Sequence, residues 1–186
     1  MFQGQVWQYY APNDIAQVES WLSTTADAPV ITFESATIPT FTGSGSETVY
    51  SLLGSPATGF SGSTTKLFPS SVFLITGFID LLAGDHSFAM ATNDGFKLTI
   101  GGTDVLSSNS QGNFGSTSSV TGGVMAFRLL YWNNATEGRL VLTIDGESAS
   151  AAAAPGAEVP LPAAGLLLVT ALGGLGGVSA FRRRAA

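Results

Sequence analysis

Between Val72 and Ile144 the chain is cut into short apolar runs by turns rich in glycine and asparagine, a spacing that favours a β fold over any other. Val72–Leu82 is β-branched and aromatic, and Ala83-Gly84-Asp85 turns it into a second run, His86–Ala91. Thr92-Asn93-Asp94-Gly95 turns again into Phe96–Ile100, where Lys97 and Thr99 alternate with Phe96, Leu98 and Ile100 in the period of a half-buried strand. Asp104–Leu106, Val124–Trp132 and Arg139–Ile144 continue the series, while Ser107–Thr121 and Asn133–Gly138 read as polar loops. One helix is expected over Asn13–Leu22, capped by Asn13 or Asp14, with Ile15, Val18 and Leu22 on one face. Strands this short at this spacing predict an all-β sandwich or barrel.

The C-terminal end obeys other rules. Ser148–Glu158 is alanine- and serine-rich and reads as a flexible spacer. Beyond it, Ala163–Phe181 runs 19 residues without a charge and stops at Arg182-Arg183-Arg184. As a helix it would span about 28 Å, close to the ~30 Å hydrocarbon core of a bilayer. The arginines are expected to stay on the cytoplasmic side, which puts the body of the chain outside it. Three parts follow: a β domain over 1–147, a linker over 148–158 and an anchor over 159–186. The pentapeptide Val159, Pro160, Leu161, Pro162, Ala163, followed by the apolar run and Arg182, Arg183 and Arg184, resembles the VPLPA variant of the PEP-CTERM sorting signal. That resemblance implies handling by an exosortase-type enzyme; the plain alternative is a membrane anchor. Met1–Trp7 has no basic, apolar leader, so either a signal peptide is lost from this start, the favoured expectation, or the C-terminal helix inserts as a tail anchor.

Outside the tail, four basic residues (Lys66, Lys97, Arg128, Arg139) face thirteen acids, a net charge of about −9 that repels phosphate backbones. Nucleic acid is therefore not expected as a partner. No cysteine is present, which removes disulfides and thiolate chemistry. His86 is the single histidine, read as an exposed strand or turn residue, and no Gly-x-Ser-x-Gly elbow or phosphate loop appears, so no enzyme is expected.

Three segments together resemble the protective-antigen N-terminal (PA14) domain family, a β-sandwich with a jelly-roll-like barrel form. They are the opening strand Gly4–Tyr10, the run Phe78–Gly102 with its Asn93-Asp94-Gly95 turn, and Gly122–Trp132 followed by Gly138–Leu142. In sugar-binding members an aspartate pair at that turn holds calcium, which binds vicinal sugar hydroxyls. The resemblance thus implies Asn93 and Asp94 as metal ligands, and Trp132, Asn133 and Asn134 as further ligands and sugar contacts. Asn93 stands where the family has an aspartate, which removes a charge and predicts weak calcium affinity. Each assignment has a plainer alternative: a hairpin turn for Asn93-Asp94-Gly95, core packing for Trp132, an ordinary loop for Asn133-Asn134. The expected function is an exported, non-catalytic carbohydrate-binding or adhesion module on extracellular glycan; the rival is a structural surface protein without a small ligand.

Overall fold

Along one central strand Phe73, Ile75 and Ile79 alternate with Leu74, Thr76 and Asp80, and the chain buries the first set between two antiparallel sheets. The computed structural model describes residues 1–8, 13–24, 27–54, 57–134 and 136–156. The sorting pentapeptide, the apolar run and the arginines lie outside the described residues. Among the described residues no helix is long and apolar enough to cross a membrane.

The elements are β1 (Phe2–Gln8), α1 (Ile15–Thr24), β2 (Ile31–Ser35), β3 (Phe41–Ser44), α2 (Val49–Leu53), β4 (Ala57–Gly62), β5 (Ser71–Leu81), β6 (Gly84–Thr92), β7 (Phe96–Ile100), β8 (Thr103–Ser108), β9 (Gly112–Val120), β10 (Gly123–Asn133) and β11 (Glu137–Ile144). One sheet runs β4-β2-β1-β5-β10-β7-β8 and the other β3-β11-β6-β9. Their inner faces meet in an aromatic core where Phe41, Phe68, Phe73 and Tyr131 pack with centroids 5.2–6.3 Å apart. Burial pushes the Tyr131 hydroxyl far above its ordinary pKa.

Helix α1 covers part of the outer face of the seven-stranded sheet. Asp14 is its cap: the Asp14 carboxylate accepts the Gln17 N–H at 2.8 Å, and the Gln17 side chain accepts the Asn13 N–H at 2.7 Å. Val18, with Ile15 and Leu22, packs on Val72, Leu130 and Trp132, as the apolar spacing required. Glu19 ties the helix down by bonding Arg128 at 3.1 Å and Lys97 at 3.4 Å.

Three expectations need correction. Ser107–Thr121 is not a loop: β8 extends to Ser108, and β9 pairs along its whole length with β6, from Gly84↔Val120 to Thr92↔Gly112. An edge strand is held by its backbone ladder, so serine and glycine suffice where one neighbour supplies the bonds. A second short helix, α2, accompanies the expected one, capped by the Thr48 hydroxyl accepting Ser51 N–H at 3.1 Å. The spacer is not free at its start. Ala149 O accepts the Ile38 N–H at 3.1 Å, while the Ala151 and Ala152 N–H groups donate to Ala36 O and Phe78 O at 2.8 and 2.7 Å. Ala149 and Ala151 pack against the core.

His86 is likewise not a free surface residue; its side chain keeps 12% exposure. Its Nε2 donates to Leu82 O at 2.9 Å and its Nδ1 meets the Asp145 carboxylate at 2.6 Å. Both partners are acceptors, so the imidazolium is favoured, and the Leu82 carbonyl followed by Asp145 raises the His86 pKa. The Ser87 N–H, then His86, lowers that of Asp145. The raised histidine contributes stability that is fully present below its ordinary 6.5 and is lost as pH rises through its folded value. The lowered aspartate contributes stability present above 3.8 and lost as pH falls through its folded value. The melting temperature of the native chain should therefore exceed that of His86→Gln most between about pH 4 and 6.5, and the gap should close at alkaline pH. Thermal melts at pH 5.5 and 9 check this, and a gap that ignores pH sinks it.

Candidate functional site

Two connections cross from one sheet to the other at the same end of the sandwich. The turn Asn93-Asp94-Gly95 carries the chain from β6 to β7, and residues 134–136 carry it from β10 to β11. Strand pairing brings them side by side, because Trp132 N–H donates to Gly95 O at 3.1 Å and Asn93 N–H donates to Arg139 O at 3.1 Å. Asp94 sits at φ 68°, the left-handed region that aspartate tolerates better than most residues. Thr92, almost fully buried, holds the turn by donating its hydroxyl to Asp94 O at 2.9 Å. Gly95 is required by packing rather than by φ: a Cβ there would collide with the Trp132 indole.

The sequence-predicted residues thus fall together, with Trp132 and Asn133 buried rather than presented as sugar contacts. Trp132 is 1% exposed, against α1, so it cannot stack on a sugar. Asn133 is the last residue of β10, not a loop residue, and is fully buried, so it cannot touch a sugar directly. Its Nδ2 donates to Glu137 O at 2.7 Å and reaches the Tyr131 hydroxyl at 3.4 Å, while its Oδ1 has no partner among the described residues. Asn93 Nδ2 donates to the same Glu137 O at 3.3 Å. The Asp94 carboxylate accepts the Asn134 N–H at 2.6 Å, and Asn134 is exposed at the rim.

An orphaned buried amide oxygen costs about 1–3 kcal/mol, which a donor or a cation would recover. Among the described residues no three His, Cys, Asp or Glu side chains come together as a metal site. A cation here would rest on one carboxylate and amide or carbonyl oxygens, a donor set that suits a hard ion such as calcium and not a transition metal. Asp94, Asn133 Oδ1 and Asn93 fit calcium in kind, with a single negative charge to hold it.

Beside this cluster, on the outer face of the four-stranded sheet, lies a groove of about 470 Å³ lined by Thr42, Gly43, Ser44, Asn93, Glu137, Gly138 and Arg139. The sequence reading missed it. Its only signal there was parity: Glu137 and Arg139 share one face of β11 while Leu140 and Leu142 take the other.

No family model and no curated protein matches the chain. Solved structures do. The chain is similar to the PA14 domain of the MpAFP antifreeze protein, with TM-score 0.66, 20% identity and 84% of each chain covered. The chain has the PA14 fold. The PA14 sugar-binding domain from an RTX adhesin gives 0.63 at 22% identity, over 81% of this chain and 93% of that one. The epithelial adhesin 6 A domain from Candida glabrata, in complex with Galb1-3GlcNAc, gives 0.59 at 14% identity, over 83% and 81%. In this chain the strand order sets the turn after β6 beside the connection after β10.

His86 stands apart from this cluster. It lies near the start of β6 against Asp145, beyond the far end of β11, whereas the cluster gathers round Glu137; eight strand residues separate the two by roughly 25 Å.

Proposed function

We propose that this chain is an exported, non-catalytic carbohydrate-binding adhesion module whose glycan site is the Asn93–Asp94 turn with the β10–β11 connection. The observation that carries it is the buried Asn133 Oδ1, without a partner among the described residues, next to Asn134, whose N–H donates to Asp94. Adhesin and sugar-binding domains among the similar structures support the same reading. Calcium, when bound, would supply a positive point for vicinal hydroxyls. In this chain Asp94 and Asn133 would hold the ion, with Asn93 as a neutral oxygen donor. Trp132 and Thr92 position the turn, and Asn134 offers a polar rim. The C-terminal end, Val159–Ala163 with Arg182–Arg184, is in this reading a VPLPA-type signal that hands the chain to an exosortase-type enzyme at the membrane.

A second reading, a surface protein with no small ligand, has its own support: one Asp94 oxygen already accepts the Asn134 N–H, as in a plain structural turn. Glycan-array binding of the full chain in detergent, with calcium and with a chelator, separates the two. Signal that needs calcium and vanishes in Asp94→Ala is expected; calcium-indifferent silence on every glycan leaves the second reading. For the tail, mass spectrometry of surface-retained protein should find a new C terminus near Ala163, and retention of Ala186 there counts against processing.

A further inference from the structure

Positive charge is scarce in this domain: of four basic residues Lys66 is exposed and two others are ion-paired. Lys97 bonds Asp104 at 3.0 Å and Glu19 at 3.4 Å, and Arg128 bonds Glu19 at 3.1 Å. Arg139 differs. Among the described residues it is the arginine with no carboxylate within ion-pair reach, yet it is half-buried and lines the groove beside the candidate site. Holding a guanidinium partly out of water without a counter-charge is unfavourable unless something arrives to pair with it. Thr42, its cross-strand partner, and Ser44, opposite Glu137, put hydroxyls on the same groove.

We propose that Arg139 makes the groove a subsite for a carboxylate-bearing sugar, a uronic acid residue of an extracellular polysaccharide. This rests on the glycan-binding reading above. The guanidinium fork matches a carboxylate with two parallel N–H···O bonds, a geometry a hydroxyl pair does not reproduce as strongly. Charge near the groove argues against an anion only while the turn is metal-free. Asp94, Glu137 and Glu47 then outweigh Arg139, with Glu47 already accepting the Ser44 N–H at 2.6 Å. A divalent cation on the turn cancels that excess, so an acidic sugar is accepted when the cation is bound and repelled when it is not. The groove then discriminates among sugars, while the turn supplies general affinity for vicinal hydroxyls.

The test uses the full chain in detergent micelles with millimolar calcium, titrated calorimetrically with trigalacturonic acid and with its methyl ester, which has the same ring hydroxyls and no charge. The acid should bind roughly tenfold or more tighter than the ester, the scale of a hydrogen bond to a charged group. Arg139→Gln should erase that preference and leave ester binding in place. Arg139→Lys, which keeps the charge but loses the fork, should recover part of it. Equal binding of acid and ester, or a preference that survives Arg139→Gln, overturns the subsite and leaves the glycan-binding reading standing, provided Asp94→Ala removes binding of both. No binding of either ligand by the native chain overturns the subsite and the reading on which it rests.

Discussion

Trp132→Ala should destabilise the domain by about 3–5 kcal/mol, the range for emptying a fully buried tryptophan site. That is a large share of the roughly 5–15 kcal/mol available to a domain of this kind. The indole is 1% exposed and closes a small core with Val18, Val72 and Leu130, with Ile15, Trp21 and Leu22 packed against it. It also fills the space where a Cβ on Gly95 would stand, so its loss frees the turn that carries Asp94. A fall in melting temperature of roughly 6–20 °C is expected for a domain near 150 residues. Trp132→Phe, which keeps a ring in the same slot, should recover much of the loss. The measurement also decides between core packing and sugar stacking. A variant that melts like the native chain and loses only glycan binding would put the indole on the ligand, against the burial seen.

The Trp132 outcome was readable in the sequence. Leu129-Leu130-Tyr131-Trp132 does not alternate, and an uninterrupted apolar run in a strand needs cover on both faces. The inner sheet face covers Leu129 and Tyr131, and α1 covers Leu130 and Trp132. Apolar runs bounded by glycine and asparagine turns located β5, β6, β7, β10 and β11 to within two residues at each end, with alternation in β7 and β11 and unbroken β-branched or aromatic runs in β5 and β10. The same signal failed for β9, where Gly112–Val120 offers only Phe114 and Val120 as large apolar groups. There the alternation exists in exposure and not in composition, since a strand at a sheet edge next to β8 can half-bury serine without charge or bulk. Neither Asn133 nor Arg139 carried a composition signal. Asn133 lies at the junction of strand and turn, where one residue of register changes a loop amide into a buried one. Arg139 became informative only once Lys97 and Arg128 were seen to be paired.

Calcium at a hundred times its dissociation constant should raise the stability of the native chain by about 2.7 kcal/mol. A buried amide oxygen without a partner is a standing penalty, and a charge-bearing partner removes it while adding the attraction of the Asp94 carboxylate. One carboxylate among neutral oxygens places the affinity in the millimolar range of extracellular modules, so the titration must extend to tens of millimolar or beyond to reach that shift, which rises with the logarithm of the calcium concentration. Asp94→Ala should abolish the shift, because no other carboxylate belongs to the donor set. Asn93→Asp, which supplies the second charge, should give the same shift at calcium concentrations lower by about an order of magnitude or more. Asn133→Leu separates the metal-free penalty from calcium binding. It removes the orphaned oxygen together with the Nδ2 bond to Glu137 O and the long contact to the Tyr131 hydroxyl, so the metal-free chain loses bonds and a penalty at once and should change by no more than about 1–2 kcal/mol, while its response to calcium disappears. Magnesium, which demands tighter octahedral geometry and dehydrates reluctantly, should give a much smaller shift at equal concentration. A melt that is the same with calcium, with magnesium and with chelator leaves Asn133 Oδ1 as a purely structural defect, and with it the turn as no more than a turn.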